Sequence, residues 1–458
     1  MHIDSSANAN FLNKEKANRK IHEYNIKIAP KMQPEIISRE IIKPTSSSPY
    51  NHPNIHKLSF FDQTSPCVYI PLLIFYTTKH TSSVLKNSLS ATLSEFYPLA
   101  GRTKDDVTVD CNDDGVVFLE ATMGCNLSEL LKSPDDETLK LLLPDGLYYK
   151  DFTLSSPVVV QVTYFQCGGM SIGLCLSHKI QDMESICAFL KKWASVARNS
   201  DNEITPDFDI ASLYPPLDLP FLKNQQPAQE MNNCASRRVV FRAGNVSKLK
   251  EIAADHVLNP TRVEVVASLL YKSAISAVSK VSKASSSGSS EQSVMHHVMN
   301  LRTKVSPPLS ERKAGNLTGV FPVSAKEADF GVLVKEFREE KTRFSDSCGK
   351  VCDKEELYMF VLDSMKGLGT YFSDENEKVY FCSSWCRYPF YEIDFGWGKP
   401  FWVTTVFWAM KNLILMIDAK GGDGIEAFVT LDERAMAVFE KDQELLSFSS
   451  VNPSVFQD

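Results

Sequence analysis

Between Pro157 and Ala197 the sequence switches from an alternating pattern to a helical one, and this switch constrains the fold more than any other stretch. Val158, Val159, Val160, Val162 and Tyr164 are β-branched or aromatic; after Gly168-Gly169, Met170, Ile172, Leu174 and Leu176 alternate with mostly small residues. Two such runs around a glycine pair are a hairpin signal. From Ile180 onward, apolar residues recur at Met183, Ile186, Leu190, Trp193 and Ala197, the spacing of one helical face. His178 stands at the corner where the strand gives way to the helix. A side chain there is held by a rigid scaffold and can still face a cleft, so His178 is the first candidate for chemistry.

A chain of 458 residues is too long for one ordinary core, and two domains are expected. Hydrophobic content of 43% and charged content of 23% are those of a soluble globular protein. The net charge of −7, without a Lys/Arg cluster interleaved with aromatics, argues against a nucleic-acid partner and for a small-molecule one. Eleven cysteines lie scattered through apolar segments and no secretory signal opens the chain, so reduced thiols in a cytoplasmic protein are expected. Cys348/Cys352 and Cys382/Cys386 have the gap of a metal pair but no neighbouring histidine; packing thiols are the competing reading, and no metal is expected. Phe401 to Ile417 is apolar but broken by Lys411-Asn412, and reads as two strands rather than a membrane span.

Residues 1–31 are polar and aperiodic, a disordered leader, with Met32 an alternative start. Residues 32–205 are expected to form the first domain, with strands at Ile36–Ile42 and Val68–Phe75 and a helix at Val84–Glu95. Five prolines between Asp201 and Gln229 mark a crossover, set at residues 206–236. The second domain, 237–458, carries a capping box at Thr261 and Glu264 that opens a helix. Near its end, Phe401–Phe407, Leu413–Ile417 and Ile425–Leu431 read as a three-strand meander, followed by one helix over Glu433–Leu446. Part of 380–402 is expected to pack with the first domain. Strands and helices mix without regular alternation, so each domain is expected to be a mixed α/β (α+β) layer structure.

Two motifs concentrate the chemistry. His178 and Asp182 stand four residues apart; on a helix that spacing suggests a His–Asp dyad, whereas an extended His178 leaves Asp182 as a structural anion paired with an arginine. The stretch Tyr391-Glu392-Ile393-Asp394-Phe395-Gly396-Trp397-Gly398-Lys399-Pro400 places Phe395, Trp397, two glycines and an acid in one tight turn. Together these stretches resemble the plant BAHD acyl-CoA-dependent acyltransferases, marked by H-x-x-x-D in mid-chain and D-F-G-W-G near the end. Further matches are Phe96-Tyr97-Pro98-Leu99-Ala100-Gly101-Arg102, Thr261 to Val266, Asn300-Leu301-Arg302, Gly315-Asn316-Leu317 and Ser383-Ser384-Trp385-Cys386-Arg387, covering the chain from Glu35 onward. Met183 in place of a glycine after Asp182, with the Ser-Ser-Trp-Cys-Arg stretch, is most similar to the branch that acylates alkaloid hydroxyls.

The resemblance implies two similar chloramphenicol-acetyltransferase-like domains with a solvent channel between them. It implies His178 as general base, taking a proton from an acceptor hydroxyl as that oxygen attacks the thioester of an acyl-CoA in a ternary complex. Imidazole suits that role because its ordinary pKa lies near physiological pH. Asp182 and Asp394 are implied to be structural, Asp394 paired with Arg302, with Gly396, Trp397 and Gly398 forming the turn. Ser383, Ser384 and Trp385 resemble the stretch along the pantetheine arm; Gln181 would border the acceptor, and Arg387 resembles a position that grips a carboxylate acceptor. Phe60-Phe61 and Tyr388-Pro389-Phe390 line an aromatic acceptor pocket or are plain core, and His296 and His297 are structural. The expected partners are acyl-CoA, with acetyl-CoA first and malonyl-CoA or a larger donor second, and a small alcohol. No permanent cofactor, no membrane and a monomer are expected. The alternative of another class is a non-catalytic metabolite-binding relative.

Overall fold

The computed structural model describes residues 30–45, 52–144, 155–200, 205–219, 233–283, 293–325, 329–366, 378–406 and 410–456. Residues 1–29 of the expected leader and 220–232 of the expected crossover lie outside them. The strands of the two large sheets are β1 (Pro34–Ile42), β2 (Tyr69–Tyr76), β3 (Val116–Met123), β4 (Val158–Phe165), β5 (Met170–Ser177), β6 (Cys234–Phe241), β7 (Ser293–Asn300), β8 (Thr318–Ala325), β9 (Val379–Ser384), β10 (Trp402–Thr404), β11 (Leu413–Asp418), β12 (Ile425–Asp432) and β13 (Ser450–Val451). The first sheet runs β1-β3-β4-β5-β2-β10 and the second β8-β7-β9-β11-β12-β6-β13. Both are mixed: β3/β4 in the first sheet, and β7/β9 and β9/β11 in the second, are parallel.

β4 and β5 form the expected hairpin, Val158 opposite Leu176. Every residue of β2 and β5 is buried, because both faces of the first sheet are covered. The period of two therefore divides these strands between two cores. Ile70, Leu72, Ile74, Ile172, Leu174 and Leu176 face helices α1 (Ser82–Glu95) and α2 (Met183–Ala197), while Leu73, Phe75 and Cys175 face Leu127, Leu131 and Trp402. Trp193 of α2 donates its indole N–H to Leu85 O of α1 at 3.0 Å. The first of these cores also takes in Leu413, Leu415, Ile417 and Phe428 of the second sheet, so the two layers share apolar packing. Helices α3 (Arg262–Lys283) and α4 (Phe330–Lys350) cover the other face of the second sheet.

Two expectations need correction. The strand expected over Phe401–Phe407 is not part of a C-terminal meander: Trp402–Thr404 leaves the second layer and pairs antiparallel with Leu73–Phe75 of β2. The stacked rings of Phe75 and Trp402, 5.2 Å apart, seal that junction. The last helix is two, Glu433–Phe439 and Gln443–Phe448, because the Asp442 carboxylate accepts the Leu445 N–H and caps a new start. Phe60 and Phe61 are core: both are buried against Tyr214 or Tyr358.

The expected capping box at Thr261 forms, with Thr261 N donating to Glu264 Oε2 at 2.8 Å. Glu264 also accepts from Arg338 at 2.6 and 2.8 Å and from Lys341 at 3.2 Å. Burial raises its pKa, but these donors outweigh burial and hold it down to about 2. The unfolded chain therefore takes up the proton first as pH falls. Glu264 contributes fully above its ordinary value near 4.5 and loses that contribution between there and pH 2, on the order of 3 kcal/mol in all. We expect Glu264→Gln to lose stability less steeply than the parent between pH 5 and pH 3 in urea unfolding. Equal slopes would contradict the assignment.

Candidate active site

β5 ends at Ser177, and the corner after it is tied down on several sides. His178 N donates to Val68 O at 2.9 Å, just ahead of β2, and the buried Lys179 ammonium donates to Gln63 O at 2.9 Å. The corner closes at Asp182, whose extended backbone makes it the N-cap of α2 and whose Oδ1 accepts Ser185 N at 3.0 Å. Because His178 precedes the helix, the four-residue spacing does not put the two side chains on one face. Asp182 turns instead to Arg302, just beyond β7.

Arg302 is 0% exposed and Asp182 4%. Nη1 donates to Asp182 Oδ2 at 2.6 Å and Nη2 to Oδ1 at 3.1 Å, a bidentate pair across the two layers. The rest of the guanidinium is satisfied by Lys313 O, Gly315 O and Asn300 Oδ1, and Leu317 N adds a bond to Asp182 Oδ2 at 3.0 Å. Burial lowers the Arg302 pKa, and the adjacent Asp182 overrides this and holds it above its ordinary value. The expectation that Arg302 pairs with Asp394 is therefore wrong, and the arginine foreseen as a possible partner of Asp182 is Arg302. Gly315 makes the wrap possible: its φ of +126° is open to glycine and strained for other residues.

Asn316, fully buried on the same segment, extends the clasp. Its Nδ2 donates to Asp62 Oδ1 and to His178 O, both at 2.9 Å, and its backbone N donates to Asp62 Oδ1 at 2.7 Å. Asp62 Oδ2 in turn accepts from Ser59 N and Oγ in a capping box. His178 is half-buried, with its Nδ1 sealed from solvent and without a hydrogen-bond partner. Burial depresses its pKa below the ordinary 6.5; its own carbonyl, Asp182, the Asn316 side chain and the Gln181 backbone offset part of that. The imidazole is thus neutral at pH 7, the form a base requires. The nearby thiols Cys175 and Cys187 are buried and their pKa values are pushed up, which leaves them poor nucleophiles.

The Asp394–Gly398 turn lies elsewhere. Asp394 Oδ1 accepts Gly396 N at 2.8 Å and Gly398 N at 2.9 Å, Arg198 donates to Asp394 O, and both glycines have positive φ. Phe395 meets Trp193 edge-on at 5.0 Å, and Trp397 stacks on His80 at 4.6 Å. Tyr76 OH donates to Ile393 O at 2.7 Å. Tyr76 closes β2, whereas Tyr69, opposite Ser177, begins it. The turn is therefore at the far end of both β2 and α2 from His178, about 20 Å away along a fifteen-residue helix.

Ser383 and Ser384 are half-buried at the end of β9, opposite Leu415 and Met416, and Trp385 is buried in the core shared by the layers. Arg387 is exposed in a turn with φ of +73°, its N–H held by Asp418 at 2.7 Å. Gln181 is buried beside His178 with its Nε2 unpartnered. Surface cavities of about 590 Å³ near Lys280 and Glu444 and 570 Å³ near Tyr97 and Arg312 are not lined by His178. Among the described residues no group of His, Cys, Asp or Glu could hold a metal, and no helix is long and apolar enough to cross a membrane. Sequence reasoning gave no role to Asn316, Asp62 or Ser185; Gly315-Asn316 was visible only as a motif match.

The sequence model of the Transferase family matches residues 32–446. The chain is similar to a 17,18-epoxy-17-hydroxycur-19-ene N-malonyltransferase of Strychnos nux-vomica, 39% identical over 92% of this chain and 91% of the relative. It is similar to stemmadenine O-acetyltransferase of Catharanthus roseus, 34% identical over 91% of this chain and 97% of the relative. The crystal structure of vinorine synthase superposes with a TM-score of 0.77 at 31% identity, covering 91% of this chain and 98% of that one.

Asp182→Ala leaves a charged, buried Arg302, and we expect it to cost about 3–5 kcal/mol in urea unfolding. Asp394→Ala loses two amide partners at a half-buried turn, which we expect to cost about 2 kcal/mol. An Asp394 variant as damaging as the Asp182 variant would contradict this ordering.

Proposed function

This chain belongs to the Transferase family of BAHD acyl-CoA-dependent acyltransferases, and from that premise we propose that it moves an acetyl group from acetyl-CoA to a hydroxyl of a plant alkaloid or related specialised metabolite. The observation that carries the reading is the His178 imidazole, kept neutral by burial at the seam of two layers and held from both. In the proposed step, an acceptor oxygen attacks the thioester carbonyl while His178 takes its proton. Collapse of the tetrahedral adduct breaks the C–S bond, and the imidazolium returns the proton to the leaving thiolate. The raised pKa values of Cys175 and Cys187 support direct transfer without an acyl-enzyme.

We assign Ser383, Ser384 and Trp385 to the pantetheine arm, and Gln181 and Arg387 to the acceptor side of a channel between the layers. The unpartnered Gln181 amide supports its part, since a buried donor gains from a bound acceptor. An odd number of cysteines, eleven, scattered through apolar segments supports a cytoplasmic setting, and a monomer is the proposed working form. A second reading keeps the acceptor class and takes malonyl-CoA as donor; the similarity to an N-malonyltransferase favours it.

Purified protein offered acetyl-, malonyl- and benzoyl-CoA with a panel of alkaloid alcohols is expected to give acetylated product by mass. Malonylated product would select the second reading, and CoA binding without any product would leave a non-catalytic relative. In an active pair, His178→Ala is expected to lower turnover about 10²–10⁴-fold, and near-normal turnover would exclude the base. The pH profile of kcat/KM follows from the depressed pKa. Because the neutral base persists to lower pH, the acid limb is expected below 6.5; a limb above it would contradict the environment described.

A further inference from the structure

The Asn316 amide can adopt only one orientation. Its Nδ2 lies 2.9 Å from Asp62 Oδ1 and 2.9 Å from His178 O, and neither oxygen can donate, so the nitrogen must face them. That leaves Asn316 Oδ1, in a side chain with no exposed surface, sealed from solvent and without a partner. The residue it clasps carries the complementary defect: His178 Nδ1 is sealed and unpartnered too. A buried acceptor and a buried donor left unmade on adjoining side chains are a costly pair, and one bond between them satisfies both. The groups that oppose the effect of burial on the imidazole are its own carbonyl first, then Asp182, then the Asn316 side chain.

We infer that Asn316 is a positioning residue that accepts the Nδ1–H of His178, fixing the tautomer whose Nε2 lone pair is free to take a proton. The amide reaches the imidazole from the second layer, on the segment that also carries Gly315 O to Arg302 and Leu317 N to Asp182. The clasp therefore makes the tautomer of a base on one layer depend on a side chain of the other. His178 O is the competing acceptor: it takes the Asn316 Nδ2–H and keeps a second lone pair, and Asn316→Ala separates the two. The inference rests on the reading of His178 as general base, and its test does not depend on turnover.

The test is nitrogen-15 NMR of histidine-labelled protein at pH 7.5, with the His178 signals assigned by their loss in His178→Gln. The parent is expected to show His178 protonated at Nδ1 alone, and Asn316→Ala to show a mixture of tautomers. In an active donor–acceptor pair, Asn316→Ala is expected to lower kcat by about 100-fold, with KM for acyl-CoA within about twofold, as for a misaimed catalytic group. A parent His178 protonated at Nε2 overturns the inference whatever the variant does. An unchanged Nδ1–H tautomer in Asn316→Ala also overturns it, giving the task to the His178 carbonyl. Should that variant not fold, Asn316→Ser takes its place and the same two results decide. Loss of the base reading would show separately, as turnover retained by His178→Ala.

Discussion

A guanidinium with no exposed surface, gripped by a carboxylate 2.6 Å away on the other sheet layer, is the interaction on which the rest of this structure depends. Taking both charges out of water costs several kcal/mol per ion, and only good geometry with every remaining lone pair and proton satisfied offsets it. Here the offset is built from backbone: Lys313 O and Gly315 O take the outer N–H groups of Arg302, and Leu317 N and Ser185 N fill the remaining positions on Asp182. Such a site tolerates little displacement. The same demand that keeps the pair satisfied fixes the segment from Lys313 to Leu317 against the corner that carries His178.

The corner that carries His178 inherits that rigidity. Asp182 is at once the N-cap of α2 and the anion of the pair, so the helix start, the His178 turn and the second layer move as one unit. The imidazole is consequently not an isolated group in a channel. It is flanked by Asn316, whose own position is set by Asp62, and its charge is governed mainly by burial. The Asp394–Gly398 turn does comparable work at the opposite end of α2, where Phe395 and Trp397 close over Trp193, Tyr76 and His80. The crossing of Trp402–Thr404 to β2 ties the C-terminal part of the chain to the first sheet a second time.

The hairpin, the helix after it and the place of His178 were legible because each depends on residues close together in sequence. The capping box at Thr261 was legible for the same reason. What was not legible were choices between distant partners. Arg302 could be matched to either of two acids in tight polar loops, and the acid it takes lies 120 residues away. Nothing local distinguishes Asp182 from Asp394; the topology does, because β7 delivers Arg302 to the His178 end of α2. The apolar run at Phe401 likewise carried the sign of a strand but not of its sheet. Asn316 had no local signal beyond a neighbouring glycine, and its role emerges only once three segments meet.

The coupling between Asp182 and Arg302 is the decisive quantity, measured by unfolding free energies of Asp182→Asn, Arg302→Met and the double variant. If the pair is the buried clasp described, each single change is strongly destabilising. The double change then costs less than their sum, with a coupling of about 2–3 kcal/mol. Additive costs, with coupling near zero, would mean that the two charges do not depend on one another and would contradict the account.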